Sequence, residues 1–349
     1  MKTIQRLLLS YIFILGLFAC EPNTSESPMG EFEQGVLVMN EGAFGANDGE
    51  VFHYNPITGE IKRNIFEAKN GRPFAGLLQH MVEAGGKLYL VANTGKIEIV
   101  NPKDFTSLGA VSTDLNVTRS VALANQKLYI SDWGPYDNSF NSPSSYIAVV
   151  NNPNGGPISK KIPVSSRPEG LAIVGNNLLV ACASDKKLDV INLSTESVSN
   201  SITVTGTPVR FIDVTGRLYL YAYDAEKVYL HEINRNTFAV LTTLSFNIAN
   251  ATSTFTVGFD GNLYVITSTG WPTYNDAVVK VTLGSTASIS TLYTGSGFYG
   301  VGTHPETNEI YVTDNNGFQG NGTIIVLDPN GRELKTFEAG RGPSGFLFK

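Results

Sequence analysis

The sequence predicts an all-β fold built from repeated units, and three observations support this prediction. A run of β-branched and aromatic residues behind a turn, GKLYLVA at 86–92, reads as a strand and recurs along the chain. The other copies are KLYISD at 127–132, NLLVAC at 177–182, RLYLYA at 217–222, NLYVIT at 262–267, EIYVTD at 309–314 and a degenerate GVLVMN at 35–40. Successive copies lie roughly 40 to 51 residues apart, a spacing typical of β-propeller blades. Glycine is abundant, with 35 residues, and only 16% of residues are charged, which suits many short strands and turns.

Each repeat has the same internal plan, which is clearest between residues 167 and 204. Strands are predicted at 171–174, 178–183, 188–192 and 201–204, and glycine, serine and aspartate residues fill the turns between them. Proline and glycine stand between the strands rather than inside them, as a sheet requires. The plan therefore predicts four strands per repeat.

The two ends of the chain predict how the ring closes. The last residues, RGPSGFLF at 341–348, are similar to RPEGLAI at 167–173, which begins an inner strand. The first repeat, by contrast, begins directly with a second strand at 36–39. We expect the C-terminal strand to complete the N-terminal blade, because this pairing removes two free sheet edges. The sequence thus predicts a seven-bladed β-propeller of four-stranded blades over residues 35–349.

The N-terminus has the features of an export signal. Two basic residues, Lys2 and Arg6, precede an apolar run at 7–18 that is short for a membrane span. The following LFAC at 17–20 resembles the lipobox of bacterial lipoproteins, in which the cysteine becomes the lipidated first residue. An ordinary signal peptide with an incidental cysteine is the alternative.

These features divide the N-terminal part of the chain into two segments. Residues 1–19 are predicted to be a lipoprotein signal peptide, and Cys20 is the predicted lipidation site. A lipid on one residue holds a protein at a membrane without making it span. Residues 20–34, rich in Pro, Ser, Asn and Glu, are predicted to form a tether.

The composition argues against several function classes. A net charge of −6 disfavours a nucleic-acid-binding or anionic-membrane-binding surface. The sequence has no Gly-x-Ser-x-Gly, His-Glu-x-x-His or Cys-x-x-Cys pattern, so we predict neither catalytic residues nor a metal site. Cys182, within a predicted strand, is expected to be a small buried residue. The turns at 47–49 and 314–317 hint at loop calcium, although Asn/Asp-Gly pairs are also common in ordinary turns.

Topology predicts one face for binding. In a four-stranded blade, the loop that enters the inner strand and the loop between the second and third strands open on the same side. The latter loops are long at 41–49, 133–145, 268–276 and 315–322, and we call this side the long-loop face. The long loops contain seven aromatic residues, namely Phe44, Trp133, Tyr136, Phe140, Trp271, Tyr274 and Phe318. The segments entering the inner strands add five further candidates, namely His80, Arg119, Glu169, Arg210 and Tyr299.

These residues are predicted to bind a ligand, with the aromatic rings as apolar walls and the polar groups as anchors. Exposed loops are usually polar, so large aromatic residues there need a reason. The alternative is that the rings cap the ends of the blades. His80 is expected to be a hydrogen-bonding wall residue, and the mixed set of charges favours a polar ligand over a bare cation.

A family resemblance covers residues 35–349. The RPEG turn at 167–170 and the repeated Lys/Arg/Asn-Leu-Tyr strands resemble YncE-like seven-bladed propellers. The lipobox, NEGAFGANDG at 40–49 and YNPITG at 54–59 resemble the surface-lipoprotein branch of gut Bacteroidetes. In that branch, BtuG-type proteins capture cobalamin and pass it to a TonB-dependent outer-membrane transporter.

The resemblance implies a non-enzymatic lipoprotein of the outer membrane, exposed on the cell surface and held there only by its lipid anchor. It implies cobalamin or a related corrinoid as the ligand, no bound cofactor, and a TonB-dependent transporter as the partner. Fold alone specifies function poorly. Two alternatives are an envelope scaffold that binds a partner protein and a propeller enzyme of the lactonase or lyase type.

Overall fold

A computed structural model describes residues 29–283 and 288–349, and the compact unit Glu31–Lys349 is a ring of seven four-stranded antiparallel sheets. The predicted seven-bladed β-propeller is therefore confirmed. The predicted signal peptide at 1–19, Cys20 and the tether up to residue 28 lie outside the described residues. In the described ranges, no helix is long and apolar enough to cross a membrane.

The blades are numbered in chain order, and their strands run from the axis outward. The N-terminal strands of blade 1 are β1 (Val36–Asn40), β2 (Glu50–Tyr54) and β3 (Ile61–Lys62). Blade 2 contains β4 (Leu78–Ala84), β5 (Lys87–Ala92), β6 (Lys96–Val100) and β7 (Ser107–Val111). Blade 3 contains β8 (Thr118–Ala124), β9 (Lys127–Asp132), β10 (Tyr146–Val150) and β11 (Lys160–Pro163). Blade 4 contains β12 (Pro168–Val174), β13 (Asn177–Cys182), β14 (Lys187–Asn192) and β15 (Ser197–Thr203).

The second half of the ring follows the same order. Blade 5 contains β16 (Thr207–Val214), β17 (Arg217–Tyr223), β18 (Lys227–Ile233) and β19 (Val240–Asn247). Blade 6 contains β20 (Ala251–Val257), β21 (Leu263–Ser268), β22 (Asp276–Thr282) and β23 (Ser288–Gly295). Blade 7 contains β24 (Phe298–Thr303), β25 (Ile310–Asp314), β26 (Asn321–Leu327) and β27 (Glu333–Arg341). The last strand, β28 (Pro343–Phe348), is the inner strand of blade 1.

Ring closure occurs through β28, as the chain ends predict. This strand pairs antiparallel with β1, placing Phe348 opposite Val36 and Phe346 opposite Val38. Both phenylalanine rings pack edge-on against Tyr311 of blade 7, at centroid distances of 5.6 Å for Phe346 and 5.3 Å for Phe348. The first and last blades therefore share one apolar cluster.

The repeated second strands form the core between blades. Each blade is covered on both faces by its neighbours, so these strands are apolar along most of their length instead of alternating. Their tyrosines are the largest fully buried side chains of the fold, namely Tyr89, Tyr129, Tyr221, Tyr264 and Tyr311. Cys182 at the end of β13 is also fully buried and is a free thiol. The outer strand β15 is instead mostly exposed, which explains its serine-rich sequence.

The packed unit begins earlier than the sequence indicates. Phe32 is fully buried, and its ring packs edge-on against Phe105 at 5.4 Å between centroids. The predicted tether of residues 20–34 therefore overlaps this unit at 31–34. A short helix that the sequence analysis did not predict, α1 (Ile65–Asn70), joins β3 to β4 and contributes buried residues to the same cluster.

Candidate functional site

A cavity of about 850 Å³ lies between the inner strands of the ring. All seven inner strands contribute side chains to it, from Gln79 and His80 on β4 to Phe346 and Phe348 on β28. Its size lies within the range of about 300–1,000 Å³ that is usual for small-molecule sites. We call the residues that line this cavity the channel wall.

A β-bulge near the start of every inner strand shapes the channel wall. At each bulge the pairing with the neighbouring strand shifts, and one or more residues have no partner in the ladder. These unpaired residues are Gln79, Arg119, Glu169 with Gly170, Val209, residues 252–254, Tyr299 and Ser344. A bulge turns a side chain away from the regular pleat, so the inner strands can direct side chains toward the axis and toward neighbouring blades.

Three of these side chains form a hydrogen-bonded chain across blades 2, 3 and 4. Arg119 donates from Nε to Oε2 of Glu169 at 3.0 Å and from Nη1 to Oε1 of Gln79 at 2.7 Å. Burial raises the pKa of Glu169, and the adjacent Arg119 charge acts in the opposite direction. These hydrogen bonds hold Arg119 and Glu169 as a charged pair in the channel wall, because each side chain restrains the other.

Trp133, the first residue after β9, completes this group. Two guanidinium groups pack over its ring, that of Arg119 at 4.5 Å and that of Arg167 at 4.8 Å from the ring centroid. Its buried Nε1 faces the Glu169 carboxylate but forms no hydrogen bond of good geometry. The indole therefore belongs to the channel wall as well as to a long loop.

His80 and Arg210 lie in the channel wall, and no carboxylate within the described ranges pairs with either of them. His80 shares a hydrogen bond of 3.2 Å between Nδ1 and Oγ of Ser120. Burial, with the positive charges of Arg210 and Arg119, lowers the pKa of His80 to about 3, so the imidazole is neutral near pH 7. Arg210 donates from Nη2 to the carbonyl oxygen of Phe255 at 2.9 Å, and its guanidinium stacks on that ring at 4.6 Å.

Several exposed aromatic residues lie in the long loops, outside the channel wall. Phe44, Phe140 and Trp271 are 96%, 76% and 82% exposed, and they come from the loops of blades 1, 3 and 6. Tyr136 lies between Trp133 and Phe140, at 6.3 Å from each ring centroid. Phe44, Phe140 and Trp271 thus present most of their ring surface to solvent.

The last three predicted residues also lie outside the cavity: Tyr274 is exposed, whereas Tyr299 and Phe318 pack against each other. Tyr274 is exposed in the loop of blade 6, away from the cavity. The Tyr299 hydroxyl donates to the carboxylate of Glu41, and its ring packs edge-on against Phe318 at 5.1 Å. Burial raises the pKa of both members of the Tyr299–Glu41 pair. The ring of Phe318 therefore covers part of Tyr299.

The structure thus separates the predicted binding residues into two groups. The channel wall contains five of the twelve, namely His80, Arg119, Trp133, Glu169 and Arg210. The other seven lie outside it, namely Phe44, Tyr136, Phe140, Trp271, Tyr274, Tyr299 and Phe318. The wall also contains residues outside the twelve that can bond to or stack on a ligand, among them Gln79, Arg167, Lys186 and Phe255. Arg167 and Phe255 stand in the predicted entering segments, and Lys186 stands in the tight second-to-third loop of blade 4.

The acidic turns bond to their own backbone. Oδ1 of Asp48 accepts from the amide of Ala43 at 2.8 Å, and Oδ1 of Asp314 accepts from the amide of Asn316 at 2.8 Å. The Asp314 contact, to the amide two residues later, is typical of an Asx turn, and the Asp48 contact closes the loop at 43–48. Within residues 29–283 and 288–349, no group of three or more His, Cys, Asp or Glu side chains is arranged to hold a metal ion.

Solved structures with similar folds come from several bacteria. A quinoprotein alcohol dehydrogenase-like protein of Bacteroides thetaiotaomicron VPI-5482 is 14% identical, with a TM-score of 0.66 over 91% of this chain and 78% of that chain. A protein of Bacteroides fragilis NCTC 9343, described as a 6-phosphogluconolactonase by similarity, is 14% identical, with a TM-score of 0.65 over 94% of this chain and 100% of that chain. Hydrazine synthase of Kuenenia stuttgartiensis is 15% identical, with a TM-score of 0.59 over 77% and 88% of the two chains.

At these identities the likeness shows a shared propeller fold and nothing about activity. No curated protein sequence matches this chain. One family model does match, over residues 34–344, and that span covers the whole ring of blades from β1 into β28. The chain therefore belongs to the family described as a domain of unknown function, DUF5074.

Proposed function

We propose that this protein captures a nutrient ligand on its long-loop face, that the ligand is cobalamin or a related corrinoid, and that the protein does not alter it chemically. One observation carries the proposal. The rings of Phe44, Phe140 and Trp271, each at least 76% exposed, come from three different loops on one face. Aromatic side chains are enriched at interaction surfaces, where they supply large apolar contact area.

A corrinoid suits this face because it combines a flattened apolar ring with a fringe of amides. Aromatic side chains can lie against the ring, while loop Asn and Asp groups can bond to the amides. The channel wall below the loops adds Arg119, Glu169 and His80 as polar groups. A ring of closed sheets needs little rearrangement on binding, so less binding energy is lost to ordering.

The proposal extends to location and partner through the N-terminal sequence and the family resemblance. Lipidation at Cys20 would hold the protein on the outer membrane at the cell surface, from which it would pass its ligand to a TonB-dependent transporter. A Cys20→Ser variant should leave the protein in the envelope without attached lipid. Incorporation of labelled fatty acid into that variant would reject Cys20 as the lipidation site.

Gel filtration with cyanocobalamin tests the ligand directly, because the vitamin is coloured. We expect the colour to co-elute with the protein, and a Phe44→Ala/Trp271→Ala double variant to bind at least tenfold more weakly. Phe259→Ala is the matched control, since Phe259 is 81% exposed in the turn between β20 and β21 on the opposite face.

Two results would reject corrinoid capture at this face. One is a wild-type protein that elutes without colour, which would favour the alternative of a scaffold for a partner protein. The other is a control variant that loses binding as strongly as the double variant, because the effect would then not depend on the long-loop face.

A further inference from the structure

The channel wall is positively charged, although the whole protein is acidic. Among the described residues that line the cavity, Glu169 is the single acidic one, whereas four are cationic, namely Arg119, Arg167, Lys186 and Arg210. The chain as a whole has a net charge of −6. The excess of positive charge is therefore local to the cavity and does not follow from composition.

A neighbouring carboxylate balances the charge of Arg119, but none balances that of Arg210 among the described residues. Arg119 is paired with Glu169 at 3.0 Å. In the described part of the chain, Arg210 has no carboxylate within ion-pair distance, and one backbone carbonyl accepts from it. A guanidinium has five N–H donors, so Arg210 has unused donors beside the cavity. An enclosed charge without a counter-charge is costly, so its presence needs a reason.

The groups around Arg210 reinforce this imbalance. The neighbouring Tyr221 hydroxyl donates to the carbonyl oxygen of Thr252 at 2.9 Å, and burial raises its pKa, so it supplies no negative charge near pH 7. His80 is neutral, and the charges of both Arg210 and Arg119 lower its pKa. The two guanidinium groups therefore act on the same part of the channel.

The cavity changes character along its length. The inner strands start at the long-loop face and run toward the opposite face. Arg119 and Arg210 lie in the first half of their strands, and Arg167 directly precedes β12, so the three arginines lie toward the long-loop face. Ile212, Val301 and Phe346 line the cavity further along their strands. The cavity is therefore cationic toward the long-loop face and more apolar toward the opposite face.

We propose that the channel binds a small organic anion, whose carboxylate or phosphate group is held by Arg210 with help from Arg119 and Arg167. The fork of a guanidinium matches the oxygen pairs of both groups. The carbon skeleton of the ligand lies against the apolar part of the channel. This site is centred on Arg210, which corrinoid capture at the exposed rings does not use, so the proposal goes beyond corrinoid capture and does not depend on it.

Calorimetric titration and thermal melts with sodium succinate and with sodium phosphate, at pH 7.5, test the proposal. Sodium chloride at matched ionic strength is the reference. We expect saturable binding and a raised Tm with at least one of the two anions, and the responding anion identifies the preferred group. Arg210→Gln should weaken that binding at least tenfold, and Arg210→Lys should weaken it less.

A second measurement separates a binding role from a structural one. Without added anion, Arg210→Gln should melt at or above the wild-type Tm, because the substitution removes an enclosed charge that has no counter-charge. Arg217→Gln is the control, since Arg217 is an exposed arginine on β17 whose nearest carboxylate is Glu232 at 3.6 Å. This control should bind both anions as the wild type does.

Three results would overturn the anion site. The first is that neither anion raises the Tm beyond the chloride reference. The second is an Arg210→Gln variant that keeps its affinity. The third is a variant that melts well below the wild type without anion, which would make Arg210 a structural residue. No corrinoid is present in these experiments, so their outcome is independent of the capture assay.

Discussion

The two tryptophans hold similar places in the repeat but have different surroundings. Trp133 follows the second strand of blade 3, and Trp271 lies in the corresponding loop of blade 6. Trp133 contacts Arg119 and Arg167 in the channel wall, whereas Trp271 is 82% exposed on the long-loop face. Loop position alone therefore does not decide the role of an aromatic residue.

The neighbouring blades cause this difference. Arg119 comes from the bulge of β8 in the same blade as Trp133, and Arg167 precedes β12 in the next blade. The inner strands of blades 6 and 7 instead offer Thr254 and Tyr299 at their bulges. The comparison teaches that the channel wall is built by contacts between blades, while the long-loop face consists of single loops. Substitution of a packed ring such as Trp133 should thus affect folding, whereas substitution of an exposed ring such as Trp271 should affect binding.

The largest expected effect is a loss of thermal stability when one inner strand of the channel wall is deleted. Deletion of residues 343–349 removes β28, and with it the buried contacts of Phe346 and Phe348 with Tyr311. Burial of one such side chain contributes about 1.5–3 kcal/mol, and the ring also loses its closure. We expect the truncated protein to lose its cooperative thermal transition or to melt far earlier. A truncation of Lys349 alone is the control, and equal melting of both proteins would contradict closure through β28.

The next effect concerns Trp133. We expect Trp133→Ala to lower the free energy of unfolding by about 2–3 kcal/mol, because it removes a half-buried ring and two cation–π contacts. Chemical denaturation measures this change. A variant as stable as the wild type would place Trp133 with the exposed rings and remove the contrast between the two tryptophans.

The third effect is a pH dependence that belongs to the channel wall. His80 has a pKa of about 3 in the folded protein, whereas an unperturbed histidine titrates near 6.5. The unfolded chain therefore binds a proton that the folded state does not, and stability is lost as the pH falls below 6.5. His80→Gln removes this loss, so it should gain up to about 2 kcal/mol relative to wild type between pH 7.5 and pH 4.5.

Urea denaturation at the two pH values measures this gain. Ser120→Ala keeps the imidazole and should lose stability at low pH as the wild type does. An equal loss in His80→Gln and in the wild type would show that His80 does not titrate in the expected way.

The smallest effect on stability is expected at Trp271. Trp271→Ala should change the free energy of unfolding by no more than about 0.5 kcal/mol, since the ring is exposed. The same change should weaken corrinoid binding by about 2 kcal/mol or more, as loss of an aromatic anchor does. Calorimetric titration beside thermal melts separates the two effects. A Trp271→Ala variant that melts early but binds the corrinoid normally would show that Trp271 has a structural role and is not a binding residue of the long-loop face.

Much of the fold was determined by the sequence alone. The Leu-Tyr strand runs, the turns between them and the similarity of RGPSGFLF at 341–348 to RPEGLAI at 167–173 predicted seven closed blades. These features are local, because strand propensity, turn chemistry and hydrophobic pattern act within a few residues. The same local logic placed His80, Arg119, Glu169 and Arg210 at the inner strands.

The tertiary structure alone decided which of these residues meet and in what environment. Arg119 bonds to Gln79 and Glu169, which lie 40 and 50 positions away, only because bulges and ring closure bring three blades together. The fully buried Phe32 and the helix α1 were missed for the same reason, since their packing depends on distant partners. The absence of a counter-charge at Arg210 is also a tertiary property. Burial and charge depend on every chain segment around a group, and a local pattern contains only one of them.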